Sequence, residues 1–482
     1  MAFPQDGQRS GWEHRLARHA RLGFLLTLFT LLLVLPLLLI PIPTQSPPVH
    51  SKELGVRVLL PLLAVLFVAA WPALPRRRMD LAEAALLCIP ATGLLATLFS
   101  SRPGFSFQEG WQNWVLPLVG WMVLRAGLTV GEMRRLLLVV VGAAVMAAVY
   151  GVSAFFGMDF LRGVYPFLIK AEEGRNFVHS FLGNPEYFGG YVAAVSVVAL
   201  AQILRGDLRA AARLGWLAAG CLLLFSLLLS GTRGAIIGFV AGFGFALWRV
   251  WPLLGGRLRR GALVALAGLL VAGTAMVVVF SFPNPLNPRD MRLAQRFAGL
   301  FDLKSPSMRE RVLFYAVSAK MIERNPVLGD GPATYQLNFY PAVLRLQETD
   351  PRAGVLMMTE DLKGGVADHA HNDYLEIWAD RGTLGLAAVL LFLSVLAVRF
   401  VRMPLPAATE ADASAARRGA FLAASCFGGA ACVFINAVFS FPLHMPVRGS
   451  LAWVLAACFL AAAAHTAGSR APAADPSPGG TP

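Results

Sequence analysis

Runs of about twenty apolar residues recur along the whole chain, and no other feature restricts its fold so strongly. At 1.5 Å per residue such a run crosses the roughly 30 Å hydrocarbon core of a bilayer, and a helix satisfies every backbone amide inside its own segment. Twelve runs stand out, near 22–40, 56–74, 81–99, 111–128, 136–156, 184–204, 213–230, 234–252, 261–281, 383–401, 419–440 and 449–466. With 56% hydrophobic and only 15% charged residues, the chain lacks the polar surface of an ordinary soluble domain. The expectation is an all-α polytopic membrane protein with about twelve transmembrane helices in contact with the lipid bilayer.

The fourth run carries Trp111, Asn113 and Trp114 and reads as partly interfacial; dropping it would invert every later loop. Arginine placement argues for keeping it. With the N-terminus in the cytoplasm, Arg9, Arg15, Arg18 and Arg21 lie on the same side as Arg76 to Arg78, Arg125, Arg205, Arg257, Arg399 and Arg417. The outer loops hold single cations such as Lys52, Arg102 and Arg448, so the positive-inside rule puts both termini in the cytoplasm. The same scatter of arginines accounts for much of the net charge of +14 without a continuous basic face, which argues against a nucleic-acid partner. The first run lacks a small-residue cleavage site and reads as a signal anchor. Cys88, Cys221, Cys426, Cys432 and Cys458 all fall inside the runs, at spacings that suggest neither a disulfide nor a metal framework. The expected division is nine helices in 1–281, one long outer loop in 282–382, three helices in 383–466, and a disordered cytoplasmic tail in 467–482.

A loop as long as 282–382 is expected to be folded or functional. After the turn-rich SFPNPLNPRD, Ser307 and Glu310 form a capping-box pattern, and Val312, Tyr315, Ala316, Ala319 and Ile322 mark one helix face before Asn325-Pro326 stops it. The loop closes on HAHNDYLEIWADRGTLG, residues 369–385, where Asp373 and Glu376 suit a helix N-terminus and Arg381-Gly382 ends a short amphipathic helix. A second outer loop, 158–183, holds Arg175 and His179 ahead of GNPEYFGGY, and SGTRGA places Arg233 at the outer end of the eighth run.

Each polar group has an ordinary reading beside the functional one. Arg233 could snorkel, or it could join the helix-start amides in binding phosphate, with Gly231, Gly234 and Ala235 giving the ligand room. His371 could be a structural hydrogen-bonding residue, or a general base with an ordinary pKa of about 6.5. His369 and His371 with Asp368 and Asp373 offer metal-ligand chemistry, but no third histidine is near and HExxH and CxxC are absent, so no metal is expected. Arg309 and Arg311 could pair with Glu310 or Glu323, and Arg175 with Glu172 or Glu173. Tyr374 and Trp378 suit an interfacial anchor or a sugar-stacking face.

In order along the chain, GNPEYFGGY, SGTRGA, RVLFYAVSAKMIERNPVLGDGPATY and HNDYLEIWADRGTLG resemble the O-antigen ligase and O-antigen polymerase family of bacterial envelope proteins over roughly 175–390. The most specific stretch is His371-Asn372, nine residues, then Gly382-x-x-Gly385; Arg311, Tyr315, Pro326, Gly329 and Gly331 match a second. Glu186, where many members have Asn, and Leu386 after Gly385 depart from the pattern and blur ligase against polymerase. The resemblance implies a GT-C-like glycosyltransferase of the bacterial inner membrane that needs neither metal nor cofactor and works at the periplasmic face. Its donor would be a glycan on undecaprenyl diphosphate, and its acceptor a hydroxyl of lipid A core, a growing glycan or a protein. His371 would be the catalytic base, Arg233, Arg311 and the less closely matched Arg175 would hold the diphosphate, and Asn372, Arg309 and His369 would support them. A polymerase, a protein O-oligosaccharyltransferase and, from another class, a solute transporter are the alternatives. No repeat halves are evident, and the polar residues gather in an outer loop, which weighs against the transporter.

Overall fold

A computed structural model describes residues 11–41, 46–161, 177–298, 306–353, 366–406 and 413–468. Among the described residues the chain is helical with no strand. Among the described residues, nine α-helices precede the loop: α1 (Gly11–Val34), α2 (Pro47–Ala70), α3 (Leu81–Leu98), α4 (Pro103–Arg125), α5 (Val130–Phe155), α6 (Pro185–Ile203), α7 (Ala210–Ser230), α8 (Arg233–Val250) and α9 (Gly256–Val279). The loop holds α10 (Leu293–Ala298), α11 (Pro306–Arg324) and α12 (Tyr335–Thr349), and α13 (Asp373–Arg402), α14 (Ala413–Asn436) and α15 (Pro446–Gly468) follow. Residues 469–482 of the expected tail lie outside the described residues.

Eleven helices among the described residues are long and apolar enough to cross a membrane, as a multi-pass membrane protein requires. The expected twelfth, α4, is a 23-residue helix whose polar first turns, GFSFQEGWQNW, lower its hydropathy. It still packs between α3 and α15 and buries Leu116, Val119 and Val123, so each of the expected runs forms a helix. Burial separates the helices by role. Of their most apolar stretches, α14 has 94% and both α6 and α15 have 83% buried, against 6% for α9. α6, α14 and α15 thus form the protein-packed centre, and α9 turns its side chains outward, as a lipid-facing helix does.

Small residues fix the approach of α8 to that centre. Gly234, Gly238 and Gly242 recur every fourth residue on one face of α8, and a Cβ at Gly238 or Gly242 would lie 2.5 Å or 2.3 Å from a carbonyl oxygen of α14. Close backbone contact of this kind replaces the hydrophobic drive that lipid does not supply. Its consequence is positional: the first residue of α8, Arg233, is held beside Asn436 at the end of α14.

Two cations expected in outer loops are buried in helices instead. Lys52 lies in α2, 3% exposed, and donates to the carbonyls of Leu38 and Phe181 at 2.6 Å each. Arg448 lies in α15, 1% exposed, with its guanidinium 4.9 Å above the Tyr187 ring. Both follow from a bundle deep enough to offer acceptors and ring faces, which hydropathy alone does not reveal.

The loop has its own small core, in which Leu313, Phe314, Val317 and Met321 of α11 pack on Tyr335 and Phe339 of α12. The face expected from sequence was rotated: Val312 is 55% exposed and Ala319 is exposed, because a neighbouring row of apolar residues faces inward. α11 is described from Pro306, and the side chain of Ser307, the expected cap, lies outside the described residues. The turn VLGDGP then docks on a break in α13, where Gly382 has φ 63° and ψ −172°. Gly331 N–H donates to the Asp380 carbonyl at 2.9 Å, Asp330 N–H to Ala379 at 3.0 Å, and Thr383 N–H to Pro326 at 2.8 Å. A Cβ at Gly382 would lie 2.1 Å from the Val327 oxygen, and one at Gly329 2.4 Å from the Asp380 carbonyl carbon. Only glycine permits both the positive φ and the approach. The short amphipathic helix and the tenth apolar run therefore join as one helix, α13, bent where the turn clamps it.

Candidate active site

This clamp carries α11 over the start of α13, and a cavity of about 310 Å³ opens between them and the starts of α6 and α8. His371, Arg233 and Arg311, the base and two of the diphosphate ligands expected from sequence, all line it. Arg296, Glu186, Glu310 and Asn436 line it too. Arg309, two positions before Arg311 on α11, is exposed and does not line it. Arg175 lies outside the described residues.

His371 occupies a strained position, with φ +52° just ahead of α13. Histidine enters the left-handed region more readily than most residues, yet such a conformation still costs on the order of 1 kcal/mol. Neighbouring rings hold it there: Phe314 is stacked at 5.7 Å between centroids, and Phe441 meets it edge-on at 5.0 Å. Nδ1 lies 3.9 Å from Glu186 Oε2, and the side chain is 34% exposed. Desolvation lowers the pKa of His371 below its ordinary value, with Arg311 and His369 acting in the same direction and Glu186 and Glu376 against it. The shift favours the neutral imidazole, the form that can accept a proton.

Cations from three separate elements converge on the cavity. Arg296 stands on α10, stacked 4.7 Å over Phe177, with Nε donating to the Gly231 carbonyl at 3.4 Å. Burial lowers its pKa first and Arg311 adds to that, while Glu186 opposes. Three guanidiniums face two carboxylates, Glu186 and Glu310, across one cavity. Asn436 adds an amide whose two polar atoms make no hydrogen bond among the described residues. Such a site suits a polyanion with fork-like oxygens, above all a diphosphate.

His369 and Asn372, expected to support the base, are held by the fold itself. Asn372 caps α13, its Oδ1 accepting from Tyr374 N–H at 3.0 Å and Leu375 N–H at 3.2 Å. It fills the cap position in place of Asp373. His369 Nδ1 bonds Glu376 Oε1 at 2.7 Å and its ring stacks on Phe441 at 4.0 Å. Burial opposes the charged form of His369, but Glu376, Asp373 and Asp368 together outweigh it and raise its pKa. Behind it Asp373 bonds His444 and accepts from Leu443 N–H at 2.7 Å, and His444 Nε2 lies 3.6 Å from Glu376. Tyr374 donates to the Phe434 carbonyl at 2.7 Å and Trp378 to Thr383 at 3.0 Å, so both rings are tied within the protein.

Among the described residues, the one group of ligand-type side chains close enough to share a cation is Glu376, Asp380 and His444, with atoms within 4.8 Å. All three are buried, none lines the cavity, and His369 and Ala333 N–H already occupy carboxylate oxygens of Glu376 and Asp380. The set that sequence offered, His369 and His371 with Asp368 and Asp373, is not brought together as a site.

Sequence reasoning missed Arg296 and Asn436. Arg296 belongs to no motif and arrives through the fold of the Pro/Asn-rich turn. Asn436 left a faint signal as an uncharged polar residue within an apolar run, where such groups need a reason.

The cavity ringed by arginines and one histidine lies at the ends of helices long and apolar enough to cross a membrane, in a multi-pass membrane protein. The family model described as O-antigen ligase matches residues 218–390, the stretch carrying Arg233, Arg296, Arg311 and His371. No curated protein matches the chain. The match supports a glycan-transfer or ligase role for this multi-pass membrane protein.

Proposed function

We propose that the chain moves a glycan from undecaprenyl diphosphate to an acceptor hydroxyl at the periplasmic face, with lipid A core as the leading acceptor. The observation that supports this best is the convergence of His371 with Arg233, Arg296 and Arg311 on one cavity. A lipid diphosphate is a good leaving group, so the protein has to supply position, a base and cations opposite the departing charge. Neutral His371 would take the proton of the acceptor hydroxyl as its oxygen bonds the anomeric carbon. The bond from that carbon to the diphosphate breaks in the same step, which inverts the centre. Glu186 would steady the resulting imidazolium, and the arginines, which do not titrate, would hold the released diphosphate. Metal is not needed in this scheme, and Arg175 stays as a further candidate for the diphosphate.

In this reading the loop 282–382 lids the cavity on the periplasmic side, with 1–281 and 383–466 in the membrane and both termini in the cytoplasm. A polymerase or a protein O-oligosaccharyltransferase would use the same base and cations on another hydroxyl. The position of the cavity at helix ends favours transfer over solute transport, whose sites lie near the midplane. The test is reconstituted protein with a glycan on undecaprenyl diphosphate, chelator, and lipid A core, glycan or peptide acceptors offered separately. Product with one acceptor fixes the reaction; dependence on added divalent metal rejects the scheme.

A further inference from the structure

A second basic cavity lies at the other end of the bundle. α4 begins beside the loop, where Ser101 N–H donates to the Asp330 carbonyl at 3.3 Å. Its 23 residues end at Arg125, roughly 34 Å along the axis. There Arg76, Arg77, Arg78 and Arg125 line a cavity of about 420 Å³ with Trp71 and Pro75.

Arginines in such loops usually need no explanation beyond topology. These differ because two of them are built into place. Glu83 is fully buried at 0% exposure, and it takes Arg77 on one oxygen and Arg125 on the other at 3.1 Å. Arg77 also donates to the Leu124 carbonyl at 2.9 Å. The Arg125 guanidinium lies 5.6 Å over the Trp71 ring, which stacks on Trp121 at 6.3 Å. Asp80, the other carboxylate of this segment, is paired with Arg399 at 3.2 Å. Among the described residues, four guanidiniums thus line the cavity, two of them held in place by the buried Glu83. From Trp71 an apolar strip runs along α2 through Val68 and Val65, 69% and 65% exposed.

We propose that this cavity is a lipid site that binds the phosphate of an anionic glycerophospholipid, whose acyl chains lie along Trp71 and α2. Preorganised guanidiniums match phosphate oxygens, and basic pockets between membrane helices suit such headgroups. A choline or ethanolamine group would bring a further cation to the four guanidiniums, which favours an anionic headgroup over a zwitterionic one. The site is independent of glycan transfer, lying about one membrane thickness from His371.

The test uses the full chain in phosphatidylcholine nanodiscs, titrated with phosphatidylglycerol or with inorganic phosphate, and reads retained lipid by native mass spectrometry and thermal melting. We expect phosphatidylglycerol to be retained and to raise the melting temperature, with inorganic phosphate inert. The double variant R76Q/R78Q leaves the Glu83 pairs intact and should lower retention roughly tenfold or more. The control R257Q/R259Q, at the start of α9 away from the cavity, should retain lipid as the parent does. Equal loss in both variants, or no preference over phosphatidylcholine, overturns the site; equal stabilisation by inorganic phosphate overturns the lipid.

Discussion

His369 and His371 are two residues apart and belong to opposite kinds of polar region. His369 joins Asp373, Glu376 and His444 in a buried cluster in which charges of both signs answer one another. His371 faces a cavity that, among the described residues, three guanidiniums and two carboxylates line. A paired buried cluster fixes geometry, and losing one member strands the rest. An unbalanced cavity gains its balance from a ligand. The contrast teaches that a crowded titratable motif divides into scaffold and chemistry by what surrounds each group, and spacing does not reveal which is which.

The sharpest way to break the comparison is His371→Ala. Transfer should fall roughly a thousandfold, the scale of a lost general base, with melting close to the parent. Retained transfer would remove His371 as the base. Next, Arg233→Ala and Arg311→Ala should each lower kcat/KM by about a hundredfold, and Arg296→Ala by roughly tenfold, as expected for cations opposite a departing charge. If Arg296→Ala matched Arg309→Ala, which should be nearly silent, the third cation would have no part in the site. On the scaffold side, His369→Ala should destabilise the fold by about 3 kcal/mol, since Glu376 is left buried without it. Denaturant unfolding in detergent reads this, and a loss of activity with unchanged stability would place His369 in the chemistry instead.

The finest distinction is in pH. Because the pKa of His371 is lowered, the neutral base persists below the usual value of about 6.5, and the rate falls only as pH drops through that lowered value. Glu186 raises this pKa and Arg311 lowers it. Glu186→Gln should therefore move the acid limb of the kcat/KM profile to lower pH, and Arg311→Gln to higher pH, each by less than about one unit. Limbs that move together, or not at all, would show that His371 is not the group being titrated.

The membrane class and the helices were legible because apolar run length and bilayer thickness are locked together. Arg233, Arg311 and His371 were legible because they sit in short motifs beside glycines, and the structure explains the glycines: Gly382 and Gly329 admit no Cβ where turn and helix meet. The face of α11 was misjudged because its two apolar rows adjoin, and only the partner helix α12 selects between them. Lys52 and Arg448 were placed in loops because hydropathy counts a charge without seeing the carbonyls or ring that receive it.

By itself, then, the order of residues settled that the chain crosses a membrane many times and which few polar groups stand out from it. Tertiary structure decided which of those groups meet. Arg233, Arg296, Arg311 and His371 come from four separate segments, and what joins them is the close packing of α8 on α14 and the clamp of the glycine turn on α13. Such convergence depends on contacts between distant parts of the chain, so no local pattern encodes it.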